Sequence, residues 1–236
     1  MKNFYIIGCG GVCSYFLGGF LKTVNHDKRL KNSTVTLVDG DMLEDKNYMR
    51  QMFNEGMSGI NKAEALATMF GAGNPNVKLE VYSQYITDLY PVEPKSTIFC
   101  FTDNHPARKD ILSIADREKC DVIVAANGEL AAHAYYYKYD MKDTALDPRV
   151  RYPEILSIDR GSPVRAAGCQ TEEHLDNSPQ TPIANLMAAS HAALLWAFWQ
   201  FESKTLDPEL SLNSWPIEFS NTEGKTRTTT IGDLSK

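Results

Sequence analysis

Four short stretches of this chain carry residue types whose spacing suits work on a nucleotide's phosphates. Gly8-Cys9-Gly10-Gly11 follows the apolar run Phe4-Tyr5-Ile6-Ile7, and an apolar-periodic segment follows at once. Glycines at 8 and 10 permit a tight turn and a close approach of backbone N–H groups to a phosphate chain. The start of the following helix adds more N–H groups and a positive dipole end. The place of a third glycine in such a turn is taken by Cys13, small enough to let the helix pack near the strand. A second apolar segment, Val35-Thr36-Leu37-Val38, ends in Asp39, where a ribose hydroxyl can be gripped. These two stretches alone leave open a dinucleotide oxidoreductase, an ATP enzyme and a glycine turn without a ligand.

The other two stretches discriminate. Asp39-Gly40-Asp41 leads to Asn47, then Arg50-Gln51, then Lys62; further on come Thr102-Asp103-Asn104 and Arg108. Hydride transfer has no use for this many basic and acidic groups around the phosphates. The full set, in this order, resembles the ubiquitin-activating-enzyme superfamily, in particular its bacterial ThiF/MoeB/HesA branch. That family carries GxGGxG, a D-x-D…N-x-x-RQ run, a downstream Lys on a helix and a TDN-x-x-x-R segment after a strand. The resemblance covers residues 4 to about 130.

The resemblance implies an ATP-dependent adenylyltransferase that activates the terminal carboxylate of a small ubiquitin-like protein or a peptide. It implies that Gly8, Gly10 and Gly11 cradle the phosphates, that Asp39 grips the ribose and that Asp41 lies near the adenosine and the phosphate chain. Arg50 offers the phosphates a planar fork, Lys62 a point charge, and Asn47, Gln51 and Asn104 neutral hydrogen bonds. Asp103 would hold Mg²⁺. A homodimer is implied as well. The chain departs from the family at Cys13, and neither of the two zinc-binding CxxC pairs of many relatives is present. The first strand begins at Asn3, so an arginine that relatives carry on an extra N-terminal helix is expected to be missing or to come from elsewhere. Gly168-Cys169-Gln170 through Leu195-Trp196 is similar to the zinc-less relatives of the PRTRC-system type. That likeness makes Cys169, with Arg165 and His174 near it in sequence, a candidate for thioester capture, beside its plainer reading as a loop cysteine.

The elements that must position these residues read as alternating strands and helices. Strands are expected at 4–8, 34–39, 77–82, 96–101 and 121–126, and helices at 11–24, 59–72 and 104–119, the last capped by Asn104 with Pro106 in its first turn. Such alternation predicts an α/β, doubly wound, mainly parallel Rossmann-like sheet, with ligands at the carboxyl ends of its strands. Residues 132–141 read as a strand opening a partly antiparallel C-terminal section. Residues 143–182 are polar and proline-marked and read as a mobile crossover; 183–202 read as a helix buried on most of its surface. The tail 215–231 reads as a hairpin turning at 221–224. One adenylation domain over 1–236 is expected.

Composition narrows the setting. A net charge of −6 and a pI near 5.4 speak against a nucleic-acid surface. Five cysteines, at 9, 13, 100, 120 and 169, form no metal or disulfide pattern and fit a reducing cytoplasm. No secretory leader pattern opens the chain, and no apolar run reaches the roughly 20 residues of a membrane helix. His105, His133 and His191 read as structural. Two alternatives remain at this stage: an NAD-dependent oxidoreductase, and a non-catalytic nucleotide-binding subunit of a heteromeric activating enzyme.

Overall fold

A computed structural model describes residues 2–157, 181–201, 216–222 and 225–234. The strands are β1 (Asn3–Ile7), β2 (Ser33–Val38), β3 (Val77–Tyr82), β4 (Thr97–Cys100), β5 (Asp121–Asn127), β6 (Ala132–Lys138), β7 (Pro216–Thr222) and β8 (Lys225–Thr230). They form a single sheet in the order β3-β2-β1-β4-β5-β6-β7-β8. Pairing from β3 through β5 is parallel, and from β5 through β8 antiparallel. This is the α/β fold that the alternating pattern predicts. The main helices are α1 (Gly11–His26), α2 (Lys62–Phe70), α3 (His105–Glu118) and α4 (Pro182–Phe201).

The central parallel strands are apolar because both their faces are covered. Phe4, Ile6, Ile98, Phe99 and Cys100 are fully buried or nearly so. On one face, Phe16 and Phe20 of α1 and Trp196 of α4 meet Phe4 and Phe99, with ring centroids 4.7–6.2 Å apart. This aromatic cluster fixes the first turn of α1 against the end of β1. Successive residues of a strand point to opposite faces. Tyr136 of β6 accordingly stacks on Trp199 of α4, with centroids 4.0 Å apart. Its neighbours Tyr135 and Tyr137 point the other way, to Tyr152 and to Asp116 of α3.

Three expectations need correction. The helix expected at 59–72 starts only at Lys62, because Asn61 caps it: its Oδ1 accepts the Ala63 N–H at 2.9 Å. Of the expected mobile stretch 143–182, residues 143–157 are folded, with helical turns at Pro148–Arg151 and Glu154–Ser157. They are anchored by Asp147, fully buried, which holds the Arg149 guanidinium at 2.9 Å; Arg149 in turn reaches Asp116 at 2.7 Å. Residues 158–180, and Cys169 with them, lie outside the described residues. Finally, α4 is buried along one side only. Ala184, Ala188, Ala192 and Leu195 face the core, while Ile183, Leu186 and Leu194 are 60%, 45% and 56% exposed. The four described cysteines, 9, 13, 100 and 120, are free and buried. Among the described residues no helix is long and apolar enough to cross a membrane.

Candidate active site

In the strand order, β1 lies between β2 and β4: the chain runs outward from β1 through β2 to β3, then crosses back to β4 on the other side of β1, where the strand order reverses. Open α/β sheets bind ligands at such a switch point, outside the carboxyl ends of the strands. The loops after β1, β2 and β4 meet there. Gly8 has φ +92°, and a Cβ at that position would lie 2.8 Å from the Phe101 carbonyl. Only glycine permits both the conformation and the approach. Gly10, at the N-cap of α1, makes no side-chain cap hydrogen bond, and no acidic residue sits in the first turn. The N-terminal N–H groups of α1 are therefore presented without a capping side chain.

Asp39, at the end of β2, braces this turn. Its Oδ2 accepts the Cys9 N–H at 2.6 Å and its Oδ1 accepts the Asp41 N–H at 2.8 Å. Burial raises its pKa, while the Asp41 N–H, the Lys62 ammonium and the Cys9 N–H pull the other way. A carboxylate can take further donors on each oxygen, so this bracing leaves room for a ribose. Burial pushes the Cys9 thiol well up, aided by Cys13, which disfavours the thiolate.

Lys62 reaches the site through two contacts that the motif pattern does not show. Its Nζ lies 2.9 Å from Asp41 Oδ2, with its side chain 13% exposed. Asn61 makes that placement possible. While its oxygen caps α2, its Nδ2 donates to the Asp39 carbonyl at 2.9 Å and the Asp41 carbonyl at 3.1 Å. One amide thus ties the acidic loop to the first turn of the helix that carries the lysine. A polar residue immediately before an apolar-periodic segment is the signal that could have revealed it.

The loop bearing Arg50 and Gln51 is held from three sides. Asn47 accepts the Glu44 N–H at 3.0 Å, so its oxygen shapes the loop. Ser14 of α1 accepts the Met52 N–H at 3.0 Å. Asn185 of α4, fully buried, donates to the Arg50 carbonyl at 3.0 Å. Asn185 also packs on Gly11, where an added Cβ would lie 2.6 Å from its Cγ. Among the described residues Arg50 Nε and Gln51 Oε1 are buried with no partner. The unpaired donor beside an uncapped helix end fits a phosphate oxygen, and the unpaired acceptor a hydroxyl or amino group of a nucleotide.

After β4, Asn104 is engaged on both sides. Its Oδ1 caps α3 at the Ala107 N–H, 2.9 Å away, and its Nδ2 faces Asp103 Oδ1 at 3.3 Å. It thus stands between the start of α3 and Asp103, which is exposed. Arg108 is 6% exposed and donates to the Thr102 carbonyl at 3.0 Å. Among the described residues no three His, Cys, Asp or Glu side chains gather into a metal site. A divalent ion here would be held by Asp103 and by phosphate oxygens, a donor set that suits Mg²⁺.

A profile of the ThiF family matches residues 2–224. The chain belongs to the ThiF family. Solved structures share the fold. A selenomethionine crystal structure of PaaA superposes with a TM-score of 0.64 at 19% identity, covering 98% of this chain and 73% of PaaA. Escherichia coli MccB crystallised with ATP gives 0.65 at 19% identity, covering 98% and 64%. MccB with AMPCPP and MccA gives 0.64 at 20%, again covering 98% and 64%. This ThiF-family chain thus spans less than two thirds of the length of MccB. No curated protein is a significant match to its sequence.

Proposed function

We propose that this ThiF-family chain is an ATP-dependent adenylyltransferase that activates a carboxylate of a peptide or small protein. The observation that carries the reading is the convergence at the β1/β4 switch point. There the uncapped start of α1, Asp39 braced by Cys9 and Asp41, and Lys62 held beside Asp41 by Asn61 surround one crevice. The crystal structures of MccB with ATP, and with AMPCPP and MccA, support it by likeness of fold.

In this reading the backbone at Gly8, Gly10 and Gly11 cradles the phosphates and Asp39 takes the ribose hydroxyls. Arg50, whose Nε has no protein partner, and Lys62 take the triphosphate. Gln51 adds a hydrogen bond, and Asn47 keeps the loop in shape. Asp103 would hold Mg²⁺, which when bound would supply positive charge to the leaving pyrophosphate. An acceptor carboxylate oxygen forms a bond to the α-phosphorus as the bond to the bridging oxygen of pyrophosphate breaks. The products are the acyl-adenylate and pyrophosphate. Little covalent work falls to side chains: catalysis is positioning and charge neutralisation.

The acceptor class is a peptide or a small ubiquitin-like protein. The assembly is a homodimer using the exposed apolar side of α4, in the cytoplasm. Thioester capture at Cys169, outside the described residues, belongs to the same reading. The deciding assay is ATP–pyrophosphate exchange driven by candidate acceptors. Exchange should appear in the parent and fall at least about 100-fold in Arg50→Ala, Lys62→Ala and Asp103→Ala, the order expected when one charge-stabilising group is lost. Cys169→Ala should keep exchange and lose any reducible acceptor adduct. Binding of NAD with no effect of MgATP would favour an oxidoreductase instead.

A further inference from the structure

The carboxyl edge of the sheet continues beyond β4, and there lies a second polar constellation that the nucleotide roles leave unused. His133 of β6 stands opposite Ser220 of β7, and Tyr135 stands opposite Glu218. All four therefore share one face of the sheet. The turn after Pro148–Arg151 closes over them. The Tyr152 hydroxyl is 3.2 Å from His133 Nε2, and its ring stacks on Tyr135 with centroids 5.6 Å apart. Glu218 lies 2.9 Å from His133 and pairs with Arg151. Arg108 enters from α3, fixed by the Thr102 carbonyl one residue before Asp103. Burial, with Arg151 and Arg108 nearby, pushes the His133 imidazole down to about 4; the adjacent Glu218 carboxylate is already claimed by Arg151. The imidazole is thus neutral at physiological pH.

Arg151 pairs with Glu218 while Arg108 is held by the Thr102 carbonyl, and the remaining valences are unbalanced. Among the described residues Arg108 Nε, Arg151 Nη1 and the Tyr135 hydroxyl are buried without a partner, and Arg108 and Tyr135 are only 6% and 5% exposed. Each of these atoms can donate a hydrogen bond, and buried donors left unpaired carry an uncompensated desolvation cost. The His133 side chain is 29% exposed, so the cluster reaches solvent at the imidazole. What completes it is an anionic acceptor of hydrogen bonds, and a guanidinium matches a carboxylate in two-pronged geometry.

We propose that this cleft recognises an acidic side chain of the acceptor, separate from the carboxylate that is adenylated, with Arg151 as its principal ligand and Arg108 and Tyr135 as supporting donors. Naming the ligand as part of the acceptor rests on the adenylation reading; the carboxylate preference of the cleft does not. The cleft begins at Thr102, beside the proposed Mg²⁺ residue, so an acceptor bound there would have its reacting end within reach of the nucleotide. Substrates with Glu or Asp near the reacting carboxylate should be favoured over their amide counterparts.

The test is a nuclear magnetic resonance titration of the full chain, without ATP, using N-acetyl-L-glutamate α-methylamide, its glutamine counterpart and inorganic phosphate. The glutamate compound should shift the His133 ring signals and the Arg108 and Arg151 Nε–H signals saturably. The glutamine compound should require at least tenfold more for the same shift. Arg151→Gln should abolish the response. If removing that guanidinium from Glu218 unfolds the chain, Tyr135→Phe, which deletes only an unpaired hydroxyl, should weaken binding several-fold. Equal binding of the two compounds, no response to either, or a response to phosphate alone would overturn the proposal. Failure of the adenylation reading would show separately, as absent pyrophosphate exchange.

Discussion

Asn61 makes the sharpest residue-scale prediction, because its two ends do different jobs. Its oxygen caps α2, and its amide nitrogen holds the carbonyls of Asp39 and Asp41. Asn61→Asp keeps the cap and loses the tie, whereas Asn61→Ala loses both. Both variants should weaken MgATP binding. Loss of the cap should cost Asn61→Ala about 1 kcal/mol more in stability, read by urea unfolding. Equal stability of the two variants, with unchanged nucleotide binding, would remove Asn61 from the site. The glycines, Asp39, Arg50, Lys62 and Asp103 could be picked as candidates from the sequence because their types and order form a pattern. Asn61 and Asn185 could not, since a single asparagine carries no pattern and its partners are backbone carbonyls distant in sequence. Asn47 and Asn104, candidates by position, also support a loop and a helix end, which the pattern does not show.

At the scale of elements, the unexpected link is between the phosphate turn and a helix from the far end of the chain. Asn185 on α4 fills the space over Gly11 and holds the Arg50 carbonyl. Gly11→Ala must push that side chain aside, at a cost of about 1–3 kcal/mol for overpacking, and should disturb Arg50 with it. Removing the obstacle in Gly11→Ala/Asn185→Ala should recover part of that stability, a non-additivity of the kind contacting residues show. Strict additivity in thermal or urea unfolding would mean the two do not compete for the same space. Strand and helix order were readable because buried parallel strands and amphipathic helices leave strong periodic marks. The one-sided burial of α4 was not readable. Its exposed side is as apolar as its buried one, so periodicity could not distinguish core from surface. Residues 143–157 read as structureless because their order comes from a buried ion network, Asp147–Arg149–Asp116, rather than from periodicity.

At the scale of the whole molecule, Ile183, Leu186 and Leu194 leave an apolar strip on α4 beside the residue that braces the nucleotide loop. Exposed apolar strips of this kind mark association surfaces. A second copy seated there would couple assembly to the site through Asn185. Leu186→Glu/Leu194→Glu should convert a dimer to a monomer in light scattering and leave the circular dichroism of the fold unchanged; a parent that is already monomeric would contradict the dimer. The central claim, that the switch-point crevice is built for ATP, is met most directly by calorimetric titration of MgATP and of NAD into the parent chain and into Lys62→Ala. The account predicts saturable MgATP binding, weakened at least about tenfold without the ammonium, equivalent to roughly 1.4 kcal/mol, and no NAD binding. NAD binding, or MgATP affinity indifferent to Lys62, would contradict it.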